Sequence, residues 1–212
     1  WKEQLSRPIS QALNKGTTGN GTVRDADFSV LHFTSGCTKQ IVHLAAHDKL
    51  DMQTLLLTSL GYALAHNDVS QGIWVQMEGH GREALVGNPD FSRTVGWFTS
   101  HYPIYLDVES AVLNPIQYAA SLQAEIHSIP HKGAGYNAIK YAKGKSEQTQ
   151  LPNISPAICF NYLGELNDEP YHSLFHIKDI PLHGTESLDS HRLAPLIINA
   201  IMKENRLLIE VD

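Results

Sequence analysis

Apolar residues recur at helical spacing just past Asp51, where Leu56, Leu57, Leu60, Ala63 and Leu64 form one stripe and Asp51 stands in the N-cap position. A second stripe, Ile116, Ala119, Ala120, Leu122 and Ile126, predicts a helix opened by Asn114 or Pro115 and running to about Ser128. Between them, residues 73–77 are largely apolar and read as a short buried strand, and a further strand is expected from about Thr99 to Leu106. Upstream, residues 28–34 suggest a strand with both faces partly apolar, after which Ser35 is placed to cap a helix through about Ala46. Downstream, residues 130–136 break the preceding helix, a short helix to Lys143 follows, and strands are expected at 157–162 and 174–177. Residues 195–202 and 206–211, joined by Lys203, Glu204 and Asn205, read as a β-hairpin. Residues 1–13 carry a loose helical pattern, 14–20 form a polar connector, and 79–96 read as a long ordered loop rich in Gly, Asn, Pro and charge. Helices and strands interleave, which predicts an α/β layered sandwich with a mixed sheet.

Composition narrows the function classes. A hydrophobic share of 42% and a charged share of 18% fit a globular protein. With 16 basic residues against 22 acidic and no Lys/Arg run, a nucleic-acid surface is not expected. No apolar stretch approaches the length of a membrane span, so no membrane partner is expected either. Cys37 and Cys159 have neither a disulfide framework nor metal spacing, and they fit small buried hydrophobes in a reducing, cytoplasmic compartment. Among the 12 histidines, His43 and His47 are spaced like a helix-face metal pair, but no third ligand follows at motif spacing, so no metal is expected. The chain opens without Met on a helix already under way and ends on strand-like alternation, which reads as an excised piece of a longer polypeptide.

The densest chemistry lies directly after the strand at 73–77. Glu78-Gly-His-Gly-Arg-Glu83 packs two carboxylates, an imidazole, a guanidinium and two glycines into six positions. A strand that delivers such a cluster to its own end places polar chemistry at the rim of a sheet. From the residues alone, two readings of Glu78 stand side by side: an acid/base carboxylate, or an ion pair with Arg82 that shapes the loop. His80 is open in the same way, as a second base or as a ring bonded to the loop backbone. Gly79, Gly81 and Gly96 point to unusual backbone angles or the close approach of another segment.

Five motifs stand in order over more than half of the chain: Asp51-Met-Gln-Thr-Leu-Leu-Leu-Thr-Ser-Leu-Gly61, Glu78-Gly-His-Gly-Arg-Glu83, Arg93-Thr-Val-Gly-Trp-Phe-Thr-Ser-His-Tyr-Pro103, Pro130-His-Lys-Gly-Ala-Gly-Tyr136 and Phe160-Asn-Tyr-Leu-Gly164. In this set the chain resembles the epimerization domain of nonribosomal peptide synthetases. The resemblance implies a fold related to chloramphenicol acetyltransferase, two similar lobes forming a V with the active site in a tunnel between them. It also implies a reaction. An aminoacyl or peptidyl group, held as a thioester on the phosphopantetheine arm of a carrier domain, is inverted at its α-carbon, with no cofactor bound directly.

One family motif, His-His-x-x-x-Asp of the N-terminal lobe, is absent; its nearest imitation, His47-Asp-Lys-Leu-Asp51, lies at a helix start, where Asp51 reads as an N-cap. The resemblance therefore assigns residues 21–212 to the C-terminal lobe, truncated at its C-terminal end, and 1–20 to a helix and linker from the N-terminal lobe. The implied partners are that N-terminal lobe, a peptidyl carrier domain and a downstream condensation domain. Two acid/base groups on opposite faces suit inversion of an α-carbon, and the resemblance makes Glu78 one and the missing lobe's His the other. Partial burial beside Met77 and Trp74 would suit Glu78 for the task. Asn161 and Tyr162 border the site, as donors to an enolate oxygen or as buried groups bonded to backbone. His80, Arg82, Glu83 and Arg93 are expected to support the loop, and Trp97, Phe98 and Thr99 to line the tunnel. Two alternatives remain: a condensation (amide-forming) lobe, or a non-catalytic lobe that docks a carrier. The isolated lobe is expected to be inactive and to expose an apolar face.

Overall fold

The structure, a computed structural model, describes residues 1, 4–7, 21–67, 69, 72–82, 90–91, 93–141, 151–152, 154–166 and 187–212. The expected connector at 14–20, the strand at 174–177 and Glu83 lie outside the described residues. Of the helix expected over 1–13, the described part is a single 3-10 turn, Gln4–Ser6.

The chain divides into two units, the first comprising Trp1–Lys15 and Leu50–Ala157, the second Gly16–Lys49 and Ile158–Asp212. In the first unit, strands β2 (Gly72–Gly79) and β3 (Ser100–Asp107) pair antiparallel, from Gly72 opposite Asp107 to Gly79 opposite Ser100. Ile73, Val75 and Met77 alternate with Trp74, and all four are buried, so the apolar run at 73–77 is a strand covered on both faces. Helix α2 (Met52–Ala65) packs on β3 and on the helices α3 (Val108–Leu113) and α4 (Pro115–Ser128). Of its predicted stripe, Leu57 is completely buried and Leu56 and Leu64 nearly so, whereas Leu60 is half-buried and Ala63 exposed. At Gly61 a Cβ would stand 3.0 Å from the Ala111 methyl, so the glycine sets how closely α2 and α3 approach.

The N-cap of α2, Asp51, falls where the sequence places it, without the side-chain bond expected of a cap. Its carboxylate lies 2.6 Å from His127 Nε2 in the last turn of α4, and its N–H donates to Gln123 Oε1 at 2.6 Å. The carboxylate is turned to the ring of α4 rather than to the amides of its own helix. Helix α3 has no counterpart in the hydropathy pattern. Six residues are too few to display a stripe, and it stands on Asp107, whose carboxylate accepts from Ser110 N at 3.1 Å and Ser110 Oγ at 2.8 Å. Asn114 caps α4 as expected, with Pro115 in the first turn. Helix α5 (Ala134–Tyr141) follows the break at 130–133 and packs on β3.

In the second unit, β1 (Ser29–His32), β6 (Arg206–Val211), β5 (Leu196–Lys203) and β4 (Ile158–Leu166) lie in that order. The β4–β5 pair is parallel and the other two pairs are antiparallel, which makes this a mixed sheet, and β5–β6 is the expected hairpin. Helix α1 (Ser35–Asp48) packs on β6, and its N-cap is Thr34 rather than Ser35: the Thr34 hydroxyl accepts from Cys37 N at 3.2 Å. The buried Thr38 hydroxyl joins helix to sheet, donating to Thr34 O at 3.0 Å and accepting from Leu207 N at 3.1 Å. Phe28, Leu31, Leu163 and Leu193 are exposed on this unit, a set of large apolar side chains left in solvent. Among the described residues no helix is long and apolar enough to cross a membrane.

Candidate active site

The period of two along β2 places Trp74, Gln76 and Glu78 on one face. Antiparallel register sets Tyr105, Pro103 and His101 of β3 opposite them. Glu78 is therefore directly across from His101, with Glu78 Oε1 3.9 Å from His101 Nε2. Both side chains are about three-quarters buried, at 24% and 23% exposure. The other ring nitrogen, His101 Nδ1, accepts from Gln76 Nε2 at 2.9 Å. Three residues of two strands thus line up as amide, imidazole and carboxylate. His101 stands in the run from 93 to 103, yet sequence reasoning misses it. Its only signal is strand pairing, and register between segments more than twenty residues apart is not written in either segment.

Past Glu78 the chain turns under tight constraint. Gly81 has φ of +65°, and a Cβ there would stand 1.5 Å from the carbonyl oxygen of Phe98, so only glycine fits. Arg82 then commits its guanidinium to the loop that comes back toward β3. Nη1 donates to Phe91 O at 2.6 Å and Thr94 O at 2.8 Å, and Nη2 to Gly96 O at 3.3 Å. The same group lies 4.2 Å over the Phe98 ring, which packs on Phe91 at 5.6 Å. Arg82 N donates to His80 Nδ1 at 3.1 Å, so this nitrogen of the exposed His80 ring is turned to the backbone.

A planar fork reaches three carbonyls and stacks on a ring at once, whereas an ammonium is a point donor. Arg82→Lys is therefore expected to loosen the segment locally by about 1–1.5 kcal/mol. Amide hydrogen exchange over 93–98 should quicken about tenfold, with α2 and α4 unchanged. Equal protection in both proteins would show that the clamp is not what holds the loop.

The remaining candidates are spread more widely. Thr99 and Phe98 are half-buried, Arg93 is exposed, and Trp97 is 88% exposed. The clamp holds the carbonyls of Thr94 and Gly96, and the Trp97 indole between Gly96 and Phe98 in the chain stands in solvent. Gly79 lies against Ser100 Oγ and Lys132 O, which brings the 130–136 motif to the end of β2. Asn161 and Tyr162 belong to the second unit, both half-buried on β4, opposite Asn199 and Ala200 of β5. Burial, and then the negative charge of Glu165, push the Tyr162 phenol up, which keeps its hydroxyl a protonated donor at neutral pH. Just beyond, register slips by one residue between Tyr162 and Glu165, and Gly164 has φ of +83°. Among the described residues, no group of three or more His, Cys, Asp or Glu is arranged to hold a metal ion. The rings of His43 and His47 stack 6.4 Å apart.

The family described as "Condensation domain" matches residues 1–212. Tyrocidine synthase 2 of Brevibacillus parabrevis is 34% identical over 171 residues, covering 80% of this chain and 5% of that protein. Gramicidin S synthase 1 of Brevibacillus brevis is 37% identical over 129 residues, covering 60% of this chain and 12% of that protein. The chain thus spans a small part of the length of these relatives. Among solved structures, the epimerization domain from the third module of tyrocidine synthetase B superposes with a TM-score of 0.79 at 30% identity, covering 93% of this chain and 44% of that one.

Proposed function

The chain belongs to the condensation-domain family, and from that premise we propose that it is the C-terminal lobe of an epimerizing domain, acting on an aminoacyl or peptidyl thioester carried on phosphopantetheine. The observation that carries this reading is Glu78 at the end of β2, a mostly buried carboxylate facing His101 and followed by a loop that Gly81 and Arg82 hold in place. The likeness to a solved epimerization domain supports it.

In this reading, Glu78 takes or returns the α-proton on one face of the substrate. An imidazole of the N-terminal lobe serves the other face. The thioester acidifies that proton, and negative charge develops on the thioester oxygen as it leaves. That oxygen also calls for a hydrogen-bond donor. The substrate brings its own phosphopantetheine arm, so the lobe supplies only side chains. A carrier domain and the N-terminal lobe are its working partners.

The test is a carrier domain loaded with an L-aminoacyl thioester, incubated in deuterated water with the intact two-lobed domain. Deuterium at the α-carbon and a mixture of both configurations are expected. If a supplied acceptor carrier gains an amide bond while the α-hydrogen is retained, the lobe belongs to a condensing domain and the proposal fails.

A further inference from the structure

We propose that His101 is a positioning residue for Glu78, and that Gln76 sets the tautomer with which it acts. The proposal rests on the reading of Glu78 as the acid/base group. The amide nitrogen of Gln76 has only hydrogens to offer, so His101 Nδ1, 2.9 Å away, must present a lone pair. In the neutral ring the proton then sits on Nε2, the nitrogen that faces Glu78 Oε1 at 3.9 Å. An N–H aimed at a carboxylate attracts it. Closing the gap by about 1 Å, within reach of a side-chain torsion, makes a charge-assisted hydrogen bond.

The three groups alternate across two paired strands, so backbone pairing fixes their order: Gln76 and Glu78 two residues apart on β2, His101 opposite Glu78. A glutamate at a strand end has three side-chain torsions to settle. One oxygen held from the side by His101 orients the carboxylate plane before substrate arrives, and preorganisation of this kind is where much of the rate of a proton transfer resides. Acting through Glu78, His101 itself need not touch the substrate.

The test uses the intact two-lobed domain with an aminoacyl-loaded carrier, following α-deuterium wash-in. His101→Leu keeps the bulk but loses the donor, and is expected to lower kcat about tenfold or more while KM for the loaded carrier stays within about twofold. His101→Gln restores an N–H at similar reach and is expected to recover most of the loss. A merely structural role would not distinguish these two variants. Independently, the ring 15N shifts of His101 in the unsubstituted protein should report the Nε2–H tautomer, and Gln76→Leu should move them toward a mixture. Wash-in unchanged in His101→Leu, no recovery in His101→Gln, or an Nδ1–H tautomer would each overturn the proposal. Glu78→Gln separates the two levels: if it loses exchange while His101→Leu keeps it, the His101 role alone fails. If Glu78→Gln keeps full exchange, both fail.

Discussion

Glu78→Gln in the intact domain is expected to reduce α-proton exchange about a thousandfold while leaving the protein as stable as before, within about 0.5 kcal/mol. Glutamine matches glutamate in shape, so the pairing of β2 with β3 and the amide–imidazole contact of Gln76 stay in place. What is lost is the ability to hold a proton. The rival reading of Glu78, a brace for the loop through Arg82, predicts the reverse: lower stability and retained exchange. The clamp already weakens that rival, because Arg82 places its guanidinium on the carbonyls of Phe91, Thr94 and Gly96. Retained exchange in Glu78→Gln would move the acid/base role to another residue. His80 is then the first to test, since it lies two residues on, although its Nδ1 is engaged by Arg82 N.

Those parts of the fold that repeat a short-range period are legible in the amino-acid order itself. Helices α2 and α4, the buried run of β2 and the β5–β6 hairpin all appear where periodicity puts them, although Ala63, Ile116 and Ala120 of the two stripes are exposed. What is not legible depends on competition or on long-range pairing. Thr34 and Ser35 are adjacent hydroxyls, and either satisfies the sequence rule for a cap; backbone geometry selects Thr34. Asp51 is the N-cap that the sequence offers, but its carboxylate meets His127, 76 residues away, instead of the helix amides. Strand β4 runs on to Leu166 because Gly164 takes a left-handed turn within a bulge, a tolerance that the pattern at 157–162 does not display. In the candidate site, Glu78 and Arg82 are legible as a cluster, but their roles are not: a carboxylate four residues before a guanidinium fits a brace and a proton carrier equally well. Resemblance, not spacing, favours the second. His101 falls outside both arguments, since only the register of β2 with β3 brings it to Glu78.

That register matters only if the chain beyond Glu78 holds its path, and Gly81→Ala is expected to show it. At φ of +65° an alanine incurs the left-handed penalty of about 1–2 kcal/mol. The larger effect is steric. The added Cβ would stand 1.5 Å from Phe98 O and 2.6 Å from Phe98 C, and these are backbone atoms that no rotamer change can remove. Either the turn after Glu78 or the segment at 96–98 must retreat by more than about 1 Å to restore ordinary contact distances. Because the Phe98 ring lies under the Arg82 guanidinium, the retreat draws the clamp with it. A displacement of that size at a reacting carboxylate costs about a hundredfold in rate. The melting temperature should fall only about 2–8 °C, since the core around Leu57, Val75 and Leu106 is untouched. Gly79→Ala is the control. Its Cβ meets Ser100 Oγ at 2.8 Å, a side-chain atom that can rotate aside, and Lys132 O at 3.1 Å, where a few tenths of an ångström suffice. It should therefore keep more activity than Gly81→Ala. Wild-type exchange in Gly81→Ala would mean that the contact with Phe98 does not set the position of Glu78, and that the strand pair alone holds the carboxylate.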